Sequence, residues 1–251
     1  MKNSVRKTYV IGDIHGRLTQ LKALVSSLDY DPQQDRIILL GDLIDRGEDS
    51  PGVVNYALEL QAESPNFVCL RGNHEQMMLD LIEYGDLLWL VPENGGAITI
   101  AQYGCKYIEE TSTLSLQIPS SHIEFFSSML PYFEDDNAYY IHASLTVGKH
   151  PSECDEETLR WKRDPTFFRN YHGKPCFFGH TPTRYLPPMG VAKLNGIYIW
   201  GSAIGVDTGC GPEDPLTCVQ VETMKVYQAY PGGKLESYQA RLGELPSVAN
   251  L

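Results

Sequence analysis

Positive charge is what this chain of 251 residues lacks most. It has 20 lysines and arginines against 32 aspartates and glutamates, a formal charge of −12. A nucleic-acid binder needs a basic stripe to neutralise phosphates, so that class is excluded. An anionic substrate is not, because metal ions and a few arginines reverse the sign locally. Long apolar runs are missing too, and none approaches a membrane span. The basic start, Met1 to Lys7, is followed only by a short strand run before Gly12, too short for a secretory core. The six cysteines form no CxxC pair and no zinc spacing. Several stand in apolar runs, where a reduced thiol behaves as a small hydrophobe. There is no internal repeat, low-complexity block or linker. The expectation is a reduced, soluble, cytoplasmic protein that binds neither nucleic acid nor membrane.

What is present is a repeated pattern. Tyr9-Val10-Ile11, Arg36 to Leu40 and Phe67 to Leu70 read as short buried strands, the middle one as a parallel strand. Each is followed by apolar residues at helical spacing: Leu18, Leu21, Leu24, Val25 and Leu28; Val54, Ala57, Leu58 and Leu60; Met77, Met78, Leu81 and Ile82. Ser50-Pro51 looks like an N-cap with proline at the first helical position. This alternation implies a largely parallel sheet. The middle is irregular. Asn94-Gly95-Gly96 marks a turn, and Ser121 to Glu124 reads as a capping box. Residues 85–131 are expected to form a small helical cap. Tyr139-Tyr140-Ile141 and Cys176-Phe177-Phe178 resume the strands. Between them, Thr146 to Pro175 reads as a long surface excursion. Runs at Ile197 to Trp200, Leu216 to Val221 and Met224 to Ala229 suggest an antiparallel sheet packed on the first, with a poorly anchored tail after Leu235. One domain over 1–251 is expected, with its core at about 8–230.

The strand ends carry the chemistry. They deliver Asp13, His15, Asp42, Asn73, His142 and His180. Oxygen and imidazole ligands without thiolate suit manganese, iron or zinc better than calcium or magnesium. Two ions need a bridging carboxylate. Such a pair can hold and activate one water and clamp a phosphoryl group for in-line attack. His74 could protonate a leaving alkoxide, with Asp45 to orient it. Arg46 and Arg163 offer planar forks that match phosphate oxygens. A lone Asp-x-His after a strand is commonplace turn chemistry, and Asp-Arg near a turn is mostly a surface ion pair. Five strand ends carrying ligand-type residues together are not. His122, His150 and His172 lack such placement and read as ordinary polar residues. The three tryptophans and Phe167-Phe168 read as packing.

Gly12-Asp13-Ile14-His15-Gly16, Gly41 to Gly47 and Arg71-Gly72-Asn73-His74-Glu75 resemble the three signatures of the phosphoprotein phosphatase branch of the metallophosphoesterases. Ile141-His142-Ala143, Trp161-Lys162-Arg163, Gly179 to Pro182 and Asp207-Thr208-Gly209 agree. The likeness is to the small bacterial and bacteriophage members, from about Tyr9 to about Val221. It implies an α/β fold (α+β in some schemes), with a central β-sandwich of mixed sheets flanked by helices and a dimetal site at one edge. It implies that Asp13 and His15 bind the first metal, Asp42 bridges, and Asn73, His142 and His180 bind the second. His74 with Asp45 would be the general acid, and Arg46, Arg163 and Asn73 would hold the phosphate. Two divalent ions are implied, manganese first, with iron and zinc as alternatives. The implied activity is hydrolysis of phosphoserine and phosphothreonine esters, extending to phosphotyrosine, in a phosphoprotein or phosphopeptide, by a monomer. The competing activity on a similar scaffold is hydrolysis of diadenosine tetraphosphate. The symmetrical form of that hydrolase typically has alanine where Asp45 stands and aspartate in place of Glu75. A catalytically dead binding protein would lack a ligand or the acid, and none is missing. The segments at Pro187-Pro188 and Trp200 to Ala203 are longer than in the phage members.

Overall fold

The computed structural model describes residues 5–108, 113–115, 117–187 and 195–241. The first third alternates as the periodicity predicts: β1 (Thr8–Ile11), α1 (Leu18–Ser27), β2 (Arg36–Leu39), α2 (Ser50–Glu63), β3 (Val68–Cys69) and α3 (Asn73–Tyr84). β2 pairs in parallel with both β1 and β3. Side chains alternate across a strand, so runs apolar at every position need cover on both faces. Tyr9, Ile11, Ile37 and Leu39 pack among the apolar residues of α1, α2 and α3. Val10, Ile38 and Leu40 point the other way, onto Tyr140, Phe177 and Ile204 of a second sheet.

The cap follows. It contains a 3-10 turn at Leu87–Leu90, then α4 (Gly96–Gln102), a hairpin of β4 (Lys106–Ile108) and β5 (Thr113–Ser115), and α5 (Ser120–Ser128). It is therefore not wholly helical. β6 (Tyr132–Glu134) and β7 (Tyr139–Ile141) start the second sheet. After α6 (Glu156–Arg160) and α7 (Pro165–Asn170) it gains β8 (Cys176–Phe178), β9 (Tyr198–Trp200) and β10 (Ala203–Gly205), in the order β6-β7-β8-β10-β9. β11 (Leu216–Gln220), β12 (Lys225–Ala229) and β13 (Leu235–Gln239) complete the first sheet, in the order β13-β12-β11-β1-β2-β3. The result is two mixed sheets face to face with helices outside.

Several expectations need correction. The late strands do not form a sheet of their own: β11 and β12 extend the first sheet, and β9 joins the second. β1 has a free edge that β11 fills antiparallel, which satisfies backbone groups that would otherwise be buried unpaired. Leu235 to Gln239 is not loose, because it pairs with β12 along its length although all five side chains are exposed. Thr146 to Pro175 is not a surface excursion. Leu159, Phe167, Phe168 and Tyr171 are buried against Ile141 and Phe178. Burying such side chains stabilises by roughly 1.5–3 kcal/mol each, enough to hold the segment down. The N-cap of α2 is Asp49, which accepts from the Gly52 amide, and Ser50 lies inside the helix. The capping box at Ser121 does not form, since α5 begins at Ser120 after Pro119 with no side-chain cap. All six cysteines are free. Pro187 lines a cavity beside His180, whereas Pro188 lies outside the described residues.

Candidate metal centre

β1, β2 and β3 run parallel, as do β7, β8 and β10 in the second sheet. Their carboxyl ends converge at one edge of the sandwich. Asp13, His15, Asp42, Asn73, His74, His142 and His180 are all buried there. The loops are tightly wound. Of the non-glycine residues with positive φ among the described residues, five are His15, Asp42, Asp45, Arg46 and His180. Left-handed backbone costs about 1–3 kcal/mol per such residue and clusters at functional sites. Glycines make the room. A β-carbon on Gly72 would overlap Asp42 Oδ1, and one on Gly179 would overlap Asp13 Oδ1.

Asp42 stands at the middle. Its Oδ2 lies 3.9 Å from His15 Nε2, 3.9 Å from His74 Nε2 and 3.4 Å from His142 Nε2. Two groups could each hold an ion, their ligand atoms all within 4.8 Å: His15 with Asp42 and His74, and Asp42 with His142 and His180. Asp42 belongs to both. Backbone carbonyls set the histidine tautomers. His142 Nδ1–H donates to Leu40 O at 2.8 Å, and His180 Nε2–H donates to Trp161 O at 3.0 Å. The other ring nitrogens, His142 Nε2 and His180 Nδ1, both face Asn73 Oδ1, at 3.1 and 2.8 Å. His180 Nδ1 and Asn73 Oδ1 are thus two acceptors that meet beside the Asp42 carboxylate, an arrangement that a cation would satisfy. Second-partner bonds of this kind to the far ring nitrogen typify metal-ligating histidines.

The proton affinities tell the same story. Burial, then the nearby Asp207, push Asp13 well above the usual carboxylate range. Burial raises Asp207 to about 6, with Asp42 adding to it. Burial and Asp42 raise Glu75 to about 7. Burial alone would lower His142, but the Asp42 carboxylate overrides it and lifts the imidazole to about 9. Burial, then His142, lower His180 to about 3. Crowded carboxylates that take up protons are short of positive charge, so the donor set fits divalent metal.

The remaining candidates are also placed. His74 Nδ1–H donates to Asp45 Oδ2 at 2.6 Å. Arg46 reaches across both imidazoles, its Nη1 donating to His15 Nε2 at 2.7 Å and its Nη2 to His74 Nε2 at 3.1 Å. Arg163 is exposed on the wall of a cavity of about 910 Å³ that also takes in Arg46, Asn73, His74 and Asp207. Arg160, the other arginine of that segment, is buried and paired with Glu156. Asp13 accepts from the His180 amide at 3.0 and 3.1 Å.

A family profile for calcineurin-like phosphoesterases matches residues 6–184, which covers every strand end above except that of β10. The chain belongs to the calcineurin-like phosphoesterases. Within that family, serine/threonine-protein phosphatase 1 of Salmonella typhimurium is 46% identical over 92 residues, 36% of this chain and 39% of that protein. The symmetrical bis(5'-nucleosyl)-tetraphosphatase of Yersinia pestis is 44% identical over 72 residues, 29% of this chain and 24% of that protein. The matched stretches thus span well under half of these relatives. A crystal structure provisionally described as a diadenosine tetraphosphatase superposes with a TM-score of 0.61 at 20% identity, covering 97% of each chain, and shows the same fold.

Two residues of this site, Glu75 and Asp207, stand in the motifs quoted above without a role, and two more, Trp89 and Thr99, carry no motif. Glu75 accepts from the amides of Gly72, Asp42 and Leu43 at 3.0, 3.0 and 2.7 Å, and so pins the Asp42 loop to α3. Asp207, two residues after β10, accepts from the Gly209 amide at 2.7 Å and lines the cavity. Its signal was available, since Ile204-Gly205-Val206-Asp207 repeats the pattern of an apolar run ending in aspartate. Trp89 and Thr99 both donate to Asp45, at 2.8 and 2.7 Å. Nothing in their local sequence marks this. Among the described residues, no helix is long and apolar enough to cross a membrane.

Proposed function

We propose that this phosphoesterase is a protein phosphatase, hydrolysing phosphoserine and phosphothreonine esters as a monomer, with two divalent ions and manganese the best in vitro. The observation that carries this is the Asp45–His74 pair, buried, bonded at 2.6 Å, with the second ring nitrogen of the imidazole on Arg46, 3.1 Å away beside the candidate metal ligands. A poor alkoxide leaving group needs such a proton donor. Asp13 and His15 would hold one ion, Asn73, His142 and His180 the other, with Asp42 shared. The ions would supply a nucleophile from water at neutral pH and draw charge from the phosphoryl oxygens. Arg46 and Arg163, with the Asn73 amide, would grip the phosphoryl group through planar donors. His74 would pass a proton from Nε2 to the leaving oxygen, while Asp45 holds Nδ1–H and balances the imidazolium.

A second reading has its own support. The cavity is larger than one phosphate needs and also takes in Arg17, Arg184 and Tyr185, which would suit a dinucleoside tetraphosphate. The tests are common to both. Phosphoserine, phosphothreonine and phosphotyrosine peptides, p-nitrophenyl phosphate and diadenosine tetraphosphate would be compared with Mn, Mg, Zn and Ca. A phosphopeptide should give the higher kcat/KM. A much larger value for diadenosine tetraphosphate would reverse the order.

A further inference from the structure

The Asp45 carboxylate has more partners than an orienting aspartate needs. It is fully buried. Oδ2 accepts from His74 Nδ1 at 2.6 Å and from the indole Nε1 of Trp89 at 2.8 Å. Oδ1 accepts from the Thr99 hydroxyl at 2.7 Å. The same hydroxyl oxygen accepts from the Asp45 amide at 3.0 Å, as does Ser50 Oγ. One threonine thus ties both the backbone and the carboxylate of one residue. That residue sits at φ +76°, a conformation that persists only where its surroundings over-determine it.

Both donors come from the cap. Trp89 is in the 3-10 turn and Thr99 in α4, and each is wholly buried. The cap is bolted on further along the same loop. Gln102 donates to Gly47 O and accepts from the Ser50 amide, each at 2.8 Å. The Asn94-Gly95-Gly96 turn makes the approach possible. A β-carbon on Gly96 would sit 2.7 Å from the Trp89 ring, and one on Gly95 would sit 3.0 Å from Arg46 Cγ. The turn and the buried indole are shaped around the Asp45-Arg46 loop.

We propose that Trp89 and Thr99 are positioning residues of the reaction, which fix the plane of the Asp45 carboxylate so that Oδ2 stays on His74 Nδ1. The cap is then part of the acid machinery, not only cover over the core. This rests on the reading of His74 as general acid. A carboxylate held by three donors in fixed directions cannot rotate away from the imidazole. With one donor lost, a rotated carboxylate leaves Nδ1–H without an acceptor in a dry site, and proton delivery becomes less frequent.

The test separates a positioning role from a packing role by leaving group. Trp89→Phe keeps most of the ring and removes the N–H. Thr99→Val is nearly isosteric and removes the hydroxyl, and Thr99→Ser restores it. Single-turnover rates would be measured on a phosphoserine peptide and on p-nitrophenyl phosphate at saturating manganese, with His74→Asn in parallel. Trp89→Phe and Thr99→Val should each slow the peptide about tenfold, a share of the ~10²–10⁴-fold a general acid contributes. p-Nitrophenyl phosphate should be spared, manganese content kept, and Thr99→Ser should recover the peptide rate. Equal losses on both substrates, with His74→Asn still selective, would overturn the clamp alone. A non-selective His74→Asn would overturn the acid reading and the clamp with it. Should Trp89→Phe unfold, Thr99→Val carries the test. Independently, the Trp89 indole N–H resonance should shift in Asp45→Asn, and an unmoved resonance would overturn the clamp.

Discussion

At the scale of the residue, the proposed reaction divides the site into atoms that would hold charge and one atom that would deliver a proton. Asp42 Oδ2 faces histidines of both groups, so it is the single carboxylate whose loss should be felt by two ions. Asp42→Asn is expected to weaken both and to remove most activity. Metal analysis of the variant showing two ions per chain, with full turnover, would contradict the shared role. His74 has its Nδ1–H committed to Asp45, and its Nε2, on Arg46 Nη2 at 3.1 Å, is the atom proposed to carry the proton to the leaving oxygen once Arg46 turns to the phosphoryl group. Serine alkoxide leaves badly without a proton, and p-nitrophenolate leaves well. His74→Asn should therefore cost a share of ~10²–10⁴-fold on phosphoserine and far less on p-nitrophenyl phosphate. Asp45→Asn should show the same direction with a smaller effect. Both variants should keep their metal, because the proposed ligands of the first ion are Asp13 and His15 rather than His74, and paired single-turnover assays with metal analysis check all three statements.

At the scale of the element, the cap is held to the body by buried polar contacts as well as by packing. His122 on α5 is one of them, accepting or donating between the Tyr103 hydroxyl at 2.8 Å and Asn55 Oδ1 on α2 at 3.0 Å. The sequence suggested an ordinary polar histidine, but it is only 3% exposed. Burial lowers its proton affinity below the ordinary 6.5. The unfolded chain then binds this proton first as pH falls. The His122 contribution to stability is complete above pH 6.5 and is lost as pH falls toward the folded value. The wild-type urea midpoint should decrease from about pH 7.5 to about pH 5 by more than that of His122→Gln. Amides of α5 should exchange faster over the same interval in the wild type. Identical pH slopes for the two proteins would assign the loss to other groups.

At the scale of the whole molecule, an acidic chain folds by pairing its few cations with care. Asp35, wholly buried at the start of β2, accepts from Arg6 Nε at 3.0 Å and Nη2 at 3.1 Å, and from the Asp31 amide at 2.9 Å. Burial acts to raise its pKa, but the Arg6 and Asp31 bonds prevail and hold it below 3.8. A depressed carboxylate contributes fully above its unfolded value, and the contribution is lost as pH falls through the folded one. Asp35→Asn should cost roughly 1.5–3 kcal/mol at neutral pH. The lower end is expected because Arg6 is 49% exposed and screened by solvent. The difference between wild type and variant, read from urea unfolding, should narrow near pH 3. A gap that widens there would show that Asp35 is not the stabilising charge.

The sequence by itself determined the edge at which chemistry occurs. Short continuous apolar runs and glycine turns are local signals, and parallel strands put their carboxyl ends on one side. Asp13, Asp42, Asn73, His142 and His180 were therefore legible as a set before any contact was known. That Asp42 Oδ2 meets His15, His74 and His142 together follows from how the two sheets face each other, and only the tertiary structure places them so. It also decided the partners of Asp45. Trp89 and Thr99 lie 44 and 54 residues away along the chain, on elements whose own periodicity speaks only of packing. The same holds for β13, whose five exposed side chains carry no burial pattern and whose place depends on the unpaired edge of β12. A buried hydrogen-bond acceptor takes whichever donor the packing brings to it. That choice is made between distant segments, where the order of residues within either one is silent.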